Sequence, residues 1–151
     1  MKQQDYIKIL FENLAELEKA LYWLKRSYGI CKTIGIKEEY EEAEFDAIEN
    51  LTGRFARVSD MLIQKIFRSI DKIEFEEEGS LLDVLNRSHK KGLIKSIDEI
   101  REIRELRNDI VYEYTPTDME ELFAQKLKST TSIFEIIDRV KKYTAKFKAQ
   151  A

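Results

Sequence analysis

The chain has 151 residues, 43% of them hydrophobic and 36% charged, with five glycines, one proline and a net charge of −3, which suits a single helical domain spanning 1–151 better than a sheet protein. One cysteine and one histidine exclude an internal disulfide and a Cys/His zinc cluster, and the acidic balance leaves any nucleic-acid contact to a local group of cations. No stretch approaches about 18 uninterrupted apolar residues, and the start MKQQDYIKIL lacks a signal-peptide layout, so a soluble, cytoplasmic protein is expected, with no membrane partner.

The first helix is predicted from about Asp5 to Tyr28. Ile7, Leu10, Leu14, Leu17, Leu21, Leu24 and Tyr28 alternate three and four apart, the spacing of a bundle seam. Trp23 lies off that seam beside Tyr22, as a contact flanking the core or, less simply, one between subunits. Gly29 supplies a stop, and Ile30 to Lys37, with Cys31 and Gly35, reads as a short connection.

A second helix is predicted over Glu38 to Ile70, with a wider apolar arc that runs from Phe45 and Ile48 to Ile66 and Phe67 and so meets more than one neighbour. Gly53 interrupts it at a cost of about 1 kcal/mol against alanine, which points to a close helix crossing. Arg54, Arg57 and Arg68 read as solvated, although Arg54 and Arg57 are spaced to share a face and so offer an anion site as the alternative. The run EFEEEG that follows reads as a solvated loop and a weak metal candidate. Ser80 to Lys91 predicts a short extra helix, capped by Ser80, stopped by Gly92 and docked through Leu81, Leu82 and Leu85. His89 near its end reads as a surface residue.

The third long helix, Ser96 to Tyr114, carries the unusual chemistry. Ser96 and Glu99 read as a capping box, and Ile97, Ile100, Ile103, Leu106, Ile110, Val111 and Tyr114 recur at helical spacing. At about 100° per residue, Ile100, Ile103, Ile110, Val111 and Tyr114 fall within about 60° of Arg107, which sets a guanidinium in the middle of the apolar stripe. A carboxylate, a set of carbonyls or a ligand phosphate must meet that charge, and the sequence leaves the choice open.

Beyond Tyr114, Pro116 breaks the chain and Thr117 with Glu120 reads as another capping box. A fourth helix is predicted from about Asp118 to Lys146, with Leu122, Phe123, Leu127, Phe134, Ile137 and Val140 facing inward and a basic tail that frays. The resulting fold class is all-α: an antiparallel four-helix up-and-down bundle with one short extra helix.

The segment RNDIVYEY, Arg107 to Tyr114, with its lead-in GLIKS from Gly92 to Ser96, resembles the signature of HEPN domains. The likeness is greatest to the HepT-like proteins found beside minimal nucleotidyltransferases, whose motif reads Arg-Asn, three residues, His, one residue, Tyr. Arg107, Asn108 and Tyr114 match, and Tyr112 stands where catalytic members carry histidine. The resemblance implies a homodimer paired through the third helices, with Arg107, Asn108 and Tyr112, and Arg104 one turn earlier, facing a nucleotide or RNA phosphate. It also implies a minimal nucleotidyltransferase partner encoded nearby, in a toxin–antitoxin type module, with Tyr114 open to modification and no cofactor or metal. In catalytic relatives the arginine holds the phosphate while the histidine moves protons. Tyrosine, with an ordinary pKa of about 10, is ionised in only about one molecule in a thousand at neutral pH. Binding without efficient cleavage is therefore expected, a metal-independent endoribonuclease toxin being the alternative.

Overall fold

The computed structural model describes residues 2–76 and 79–150, and those residues are all-helical. Helix α1 spans Gln3–Ile34, and its predicted seam is the buried face: Ile7, Leu10, Leu17, Leu21 and Leu24 are closed to solvent. It does not stop at Gly29. The helix runs on to Gly35, whose φ of 72° suits a residue without Cβ and whose N–H donates to the Cys31 carbonyl. The expected connection from Ile30 is thus mostly helix, and Cys31 is buried in it with its thiol against the Ala47 carbonyl at 3.3 Å.

Helix α2 begins at Glu42 rather than Glu38 and spans Glu42–Asp60. It continues through a π-helical segment, Met61–Ile66, into α3, Phe67–Ile73. The wide apolar arc is borne out, with Ile48, Leu51, Phe55, Val58, Leu62, Ile66, Phe67 and Ile70 fully enclosed. Hydrogen bonds from Arg54 to Ser27 and from Asn13 to Ser69 show that α1 runs antiparallel to α2 and α3. The close crossing expected at Gly53 is absent: the residue is exposed, and a Cβ there would meet nothing within 4 Å.

Helix α4, Leu81–Lys90, is capped by Ser80 as predicted, and Gly92 beyond it has a φ of 77°. Leu85 docks it with Val84, while Leu82 points to solvent. Asp71 holds it in place by accepting from Arg87 Nε at 3.0 Å and Lys91 Nζ at 2.5 Å. His89 is exposed. Of the acidic run, Glu77 and Glu78 lie outside the described residues.

Helix α5 spans Ile97–Ile110 and ends four residues before Tyr114. Ser96 accepts from the Glu99 N–H, but the Glu99 carboxylate takes the Lys95 N–H, so only half of the expected box forms. The next cap is Thr115 with Asp118, not Thr117 with Glu120, because Pro116 occupies the first position of α6, Pro116–Glu121, and holds the residue before it extended. The predicted fourth helix is split at Leu122, whose ψ is 3°, so that α7 covers Phe123–Thr144. The tail does not fray either. Ala145–Gln150 forms a 3₁₀ turn with Phe147 buried, and the Tyr143 hydroxyl donates to Glu74. The buried apolar side chains form one continuous cluster.

Candidate functional site

Arg107 does not lie in the middle of the apolar stripe. Ile100, Ile103 and Leu106 occupy the buried face of α5, while Arg107 stands at its edge with 28% of its side chain exposed. The helix ends before Val111 and Tyr114, so those two residues never extend the stripe over it; Val111 and Tyr114 are exposed instead. What meets the guanidinium is a carboxylate from α2. Nε lies 2.9 Å from Asp60 Oδ1 and Nη2 lies 3.0 Å from Oδ2, a two-pronged geometry that fits the planar fork. Asp60 holds the arginine even more firmly protonated than usual, against a smaller opposing effect of burial.

Arg104, one turn earlier, is half-buried and has no ion-pair partner among the described residues. With Arg107, Asn108, Asp60, Ile63 and Gln64 it lines a recess of about 70 Å³. Small-molecule pockets usually measure about 300–1,000 Å³, so this one takes a group the size of a phosphate and leaves the rest of any ligand on the surface. Two guanidiniums share it with one carboxylate, which leaves a net positive charge. Its far wall is the middle of the π-helical segment Met61–Ile66, at Ile63 and Gln64, a widened turn of a kind that recurs at functional sites. The opposite flank of α5 has the reverse sign: Glu102, Glu105 and Asp109, with Lys128 as the one cation, line a groove of about 310 Å³ against α7, whose net negative charge would repel a polyanion.

The tyrosines are placed differently. Tyr112 and Tyr114 do not line the recess; they follow the helix on a short segment and are 69% and 79% exposed. Between them Glu113 points inward, where both carboxylate oxygens accept from Lys126 Nζ, at 3.0 Å and 2.8 Å. Lys126 is fully enclosed and also donates to the Met119 carbonyl at 3.3 Å. Burial pushes its pKa below the ordinary lysine value, against the opposing pull of Glu113. The Asp118 carboxylate accepts the backbone N–H groups of Tyr114 and Thr115, which holds that carboxyl below its usual range. The segment is thus pinned at both ends, with its two tyrosines turned outward.

Sequence reasoning missed Asp60, Gln64 and the Glu113–Lys126 pair. Nothing near Asp60 in the chain marks it as the partner of a residue 47 positions later. Lys126 had a legible signal. It falls in register with Phe123, Thr130, Ile133, Ile137 and Val140, the same sign of a cation on an apolar stripe that singled out Arg107. Among the described residues no group of three or more His, Cys, Asp or Glu side chains is arranged to hold a metal ion, and no helix is long and apolar enough to cross a membrane. Comparison with known proteins finds no matching family model, no matching curated protein and no matching solved structure.

Proposed function

We propose that this chain is a HEPN-like binding module that engages the phosphate of a nucleotide or RNA through Arg104, Arg107 and Asn108 and does not cleave it efficiently. The observation that carries this reading is the recess on the α2–α5 flank, where two guanidiniums face one carboxylate. Asp60 acts there as a stand-in anion: it keeps Arg107 in place and yields part of it when a phosphate arrives. The ordering of long helices supports an antiparallel four-helix up-and-down bundle of α1, α2 with α3, α5, and α7, with α4 as the short extra helix. In that arrangement the solvent face of α5 is left to a second copy. Paired about a two-fold axis, two copies would turn their Arg104/Arg107 recesses toward each other as one shared anion pocket, which is the homodimer that the HEPN resemblance implies.

The absence of histidine at Tyr112 argues against strong catalysis, since losing proton transfer near neutral pH typically costs about 10²- to 10⁴-fold in rate. Tyr112 and Tyr114, rigidly presented and exposed, serve the partner, a minimal nucleotidyltransferase, as docking or modification points. The test is a binding titration with single-stranded RNA and with ATP, paired with a cleavage assay of the native protein and Tyr112→His. Binding lost in Arg107→Ala, no cleavage by the native protein and new cleavage in Tyr112→His are expected. Robust metal-independent cleavage by the native protein would establish the endoribonuclease alternative.

A further inference from the structure

A second cationic surface lies on the other flank of α2. Trp23, the chain's only tryptophan, is 48% exposed although it is a large apolar side chain, and Tyr22 packs edge-on against it at 5.2 Å. The Arg54 guanidinium sits 5.1 Å from the centre of the Trp23 ring system. Its Nη1 is fixed by the buried Ser27 hydroxyl at 2.6 Å and by the Trp23 carbonyl at 3.5 Å. Its Nε and Nη2 have no hydrogen-bond partner among the described residues. Arg26, one turn beyond Trp23 on α1, and Arg57, one turn beyond Arg54 on α2, are both exposed. None of these three arginines has a carboxylate partner among the described residues, in a chain whose net charge is −3.

We propose that Trp23, Tyr22 and Arg54, flanked by Arg26 and Arg57, form a base-stacking subsite for single-stranded RNA. Aromatic faces beside unpaired guanidiniums suit a strand whose bases are free, because every base offers a π-face and every linkage an anion. Arg54, Arg57 and Asp60 occupy successive turns of α2, so the platform and the Arg104/Arg107 recess lie about 9 Å apart along the helix axis and about 120° apart around it, with Arg57 midway between them. One short strand can therefore rest a phosphate in the recess and stack a base on the platform. The path across α2 rests on the reading of the recess; the platform itself does not.

Trp23 is its own reporter. Titration of the full chain with a short oligouridylate should quench its fluorescence in step with the anisotropy of a labelled strand. Trp23→Ala should weaken binding about 5- to 150-fold. Arg57→Gln, at an exposed site that leaves the fold untouched, should reduce the salt dependence of log K by about 0.7. It carries the test if Trp23→Ala does not fold. Binding that is abolished by Arg107→Ala yet never quenches Trp23 would refute the platform and leave the recess standing. Quenching with unchanged affinity in Arg107→Ala would establish the platform and refute the recess. A change in tryptophan emission on dilution without RNA, following a monomer–dimer equilibrium, would assign this surface to a second copy and overturn the proposal.

Discussion

Lys126 holds the carboxylate of Glu113 between 2.8 and 3.0 Å, and both side chains are shut away from solvent. The pair joins α7 to the segment that carries Tyr112 and Tyr114, so its strength bears on the fold and on the presentation of those tyrosines. Removing one member of a buried pair leaves the other charged in a dry site, which costs about 3–5 kcal/mol. Lys126→Met should therefore lower the melting temperature sharply, whereas the double variant Lys126→Met/Glu113→Leu should recover most of the loss. Denaturant melts of the four proteins in the cycle give the coupling; additive losses would mean that the pair is not the joint described.

Arg107 and Asp60 form a different sort of pair, since about half of the Asp60 side chain and over a quarter of Arg107 are exposed. Such pairs contribute at most about 1 kcal/mol, so Arg107→Ala should scarcely change thermal stability while it removes phosphate or RNA binding. Asp60→Asn removes the competing anion and should tighten binding several-fold at low salt. A salt series of anisotropy titrations measures both, and unchanged affinity in Asp60→Asn would show that the carboxylate does not compete with the ligand.

Gly29 and Gly53 sit inside α1 and α2 where an added Cβ touches nothing. Alanine at either position should stabilise the fold by about 1 kcal/mol, because the helix interior penalises glycine and no neighbour requires it. Urea midpoints that do not rise would expose a constraint at those positions beyond packing.

The Cys31 thiol is pushed up from 9.0 to about 11, mainly by burial, with a smaller opposing effect from Lys126. Between about pH 9 and 11 the unfolded chain releases this proton first, so stability falls as the pH rises through that window, by of order 2 kcal/mol. The difference between native and Cys31→Ala stability curves isolates the contribution: the native curve should descend more steeply there and run parallel below pH 9. A thiol reagent should likewise react far more slowly with the folded protein than with the unfolded one.

Two guanidiniums show how far the sequence can be read. Arg107 was conspicuous because it fell within a predicted apolar stripe, but the stripe was drawn over residues that the helix never reaches. Glu113 is drawn inward by Lys126, Pro116 follows closely, and α5 ends at Ile110. Arg54 was legible as a face-sharing partner of Arg57, yet its contact with Trp23 and Ser27 depends on a residue pair far apart in the chain. The tail misled for a related reason: its lysines suggested a solvated end, and only the packing of Phe147 and the Tyr143–Glu74 bond show that it docks.

By itself the sequence determined that the chain is helical, that Ser80 and Ser96 open helices, and which apolar residues enter the core, because periodicity and caps are local and survive without partners. Tertiary structure alone decided which charges meet: Asp60 with Arg107, Glu113 with Lys126, Asp71 with Arg87 and Lys91. An ion pair needs a second helix at the right height and rotation, and its partner is chosen by the crossing of two elements rather than by anything written beside it in the chain.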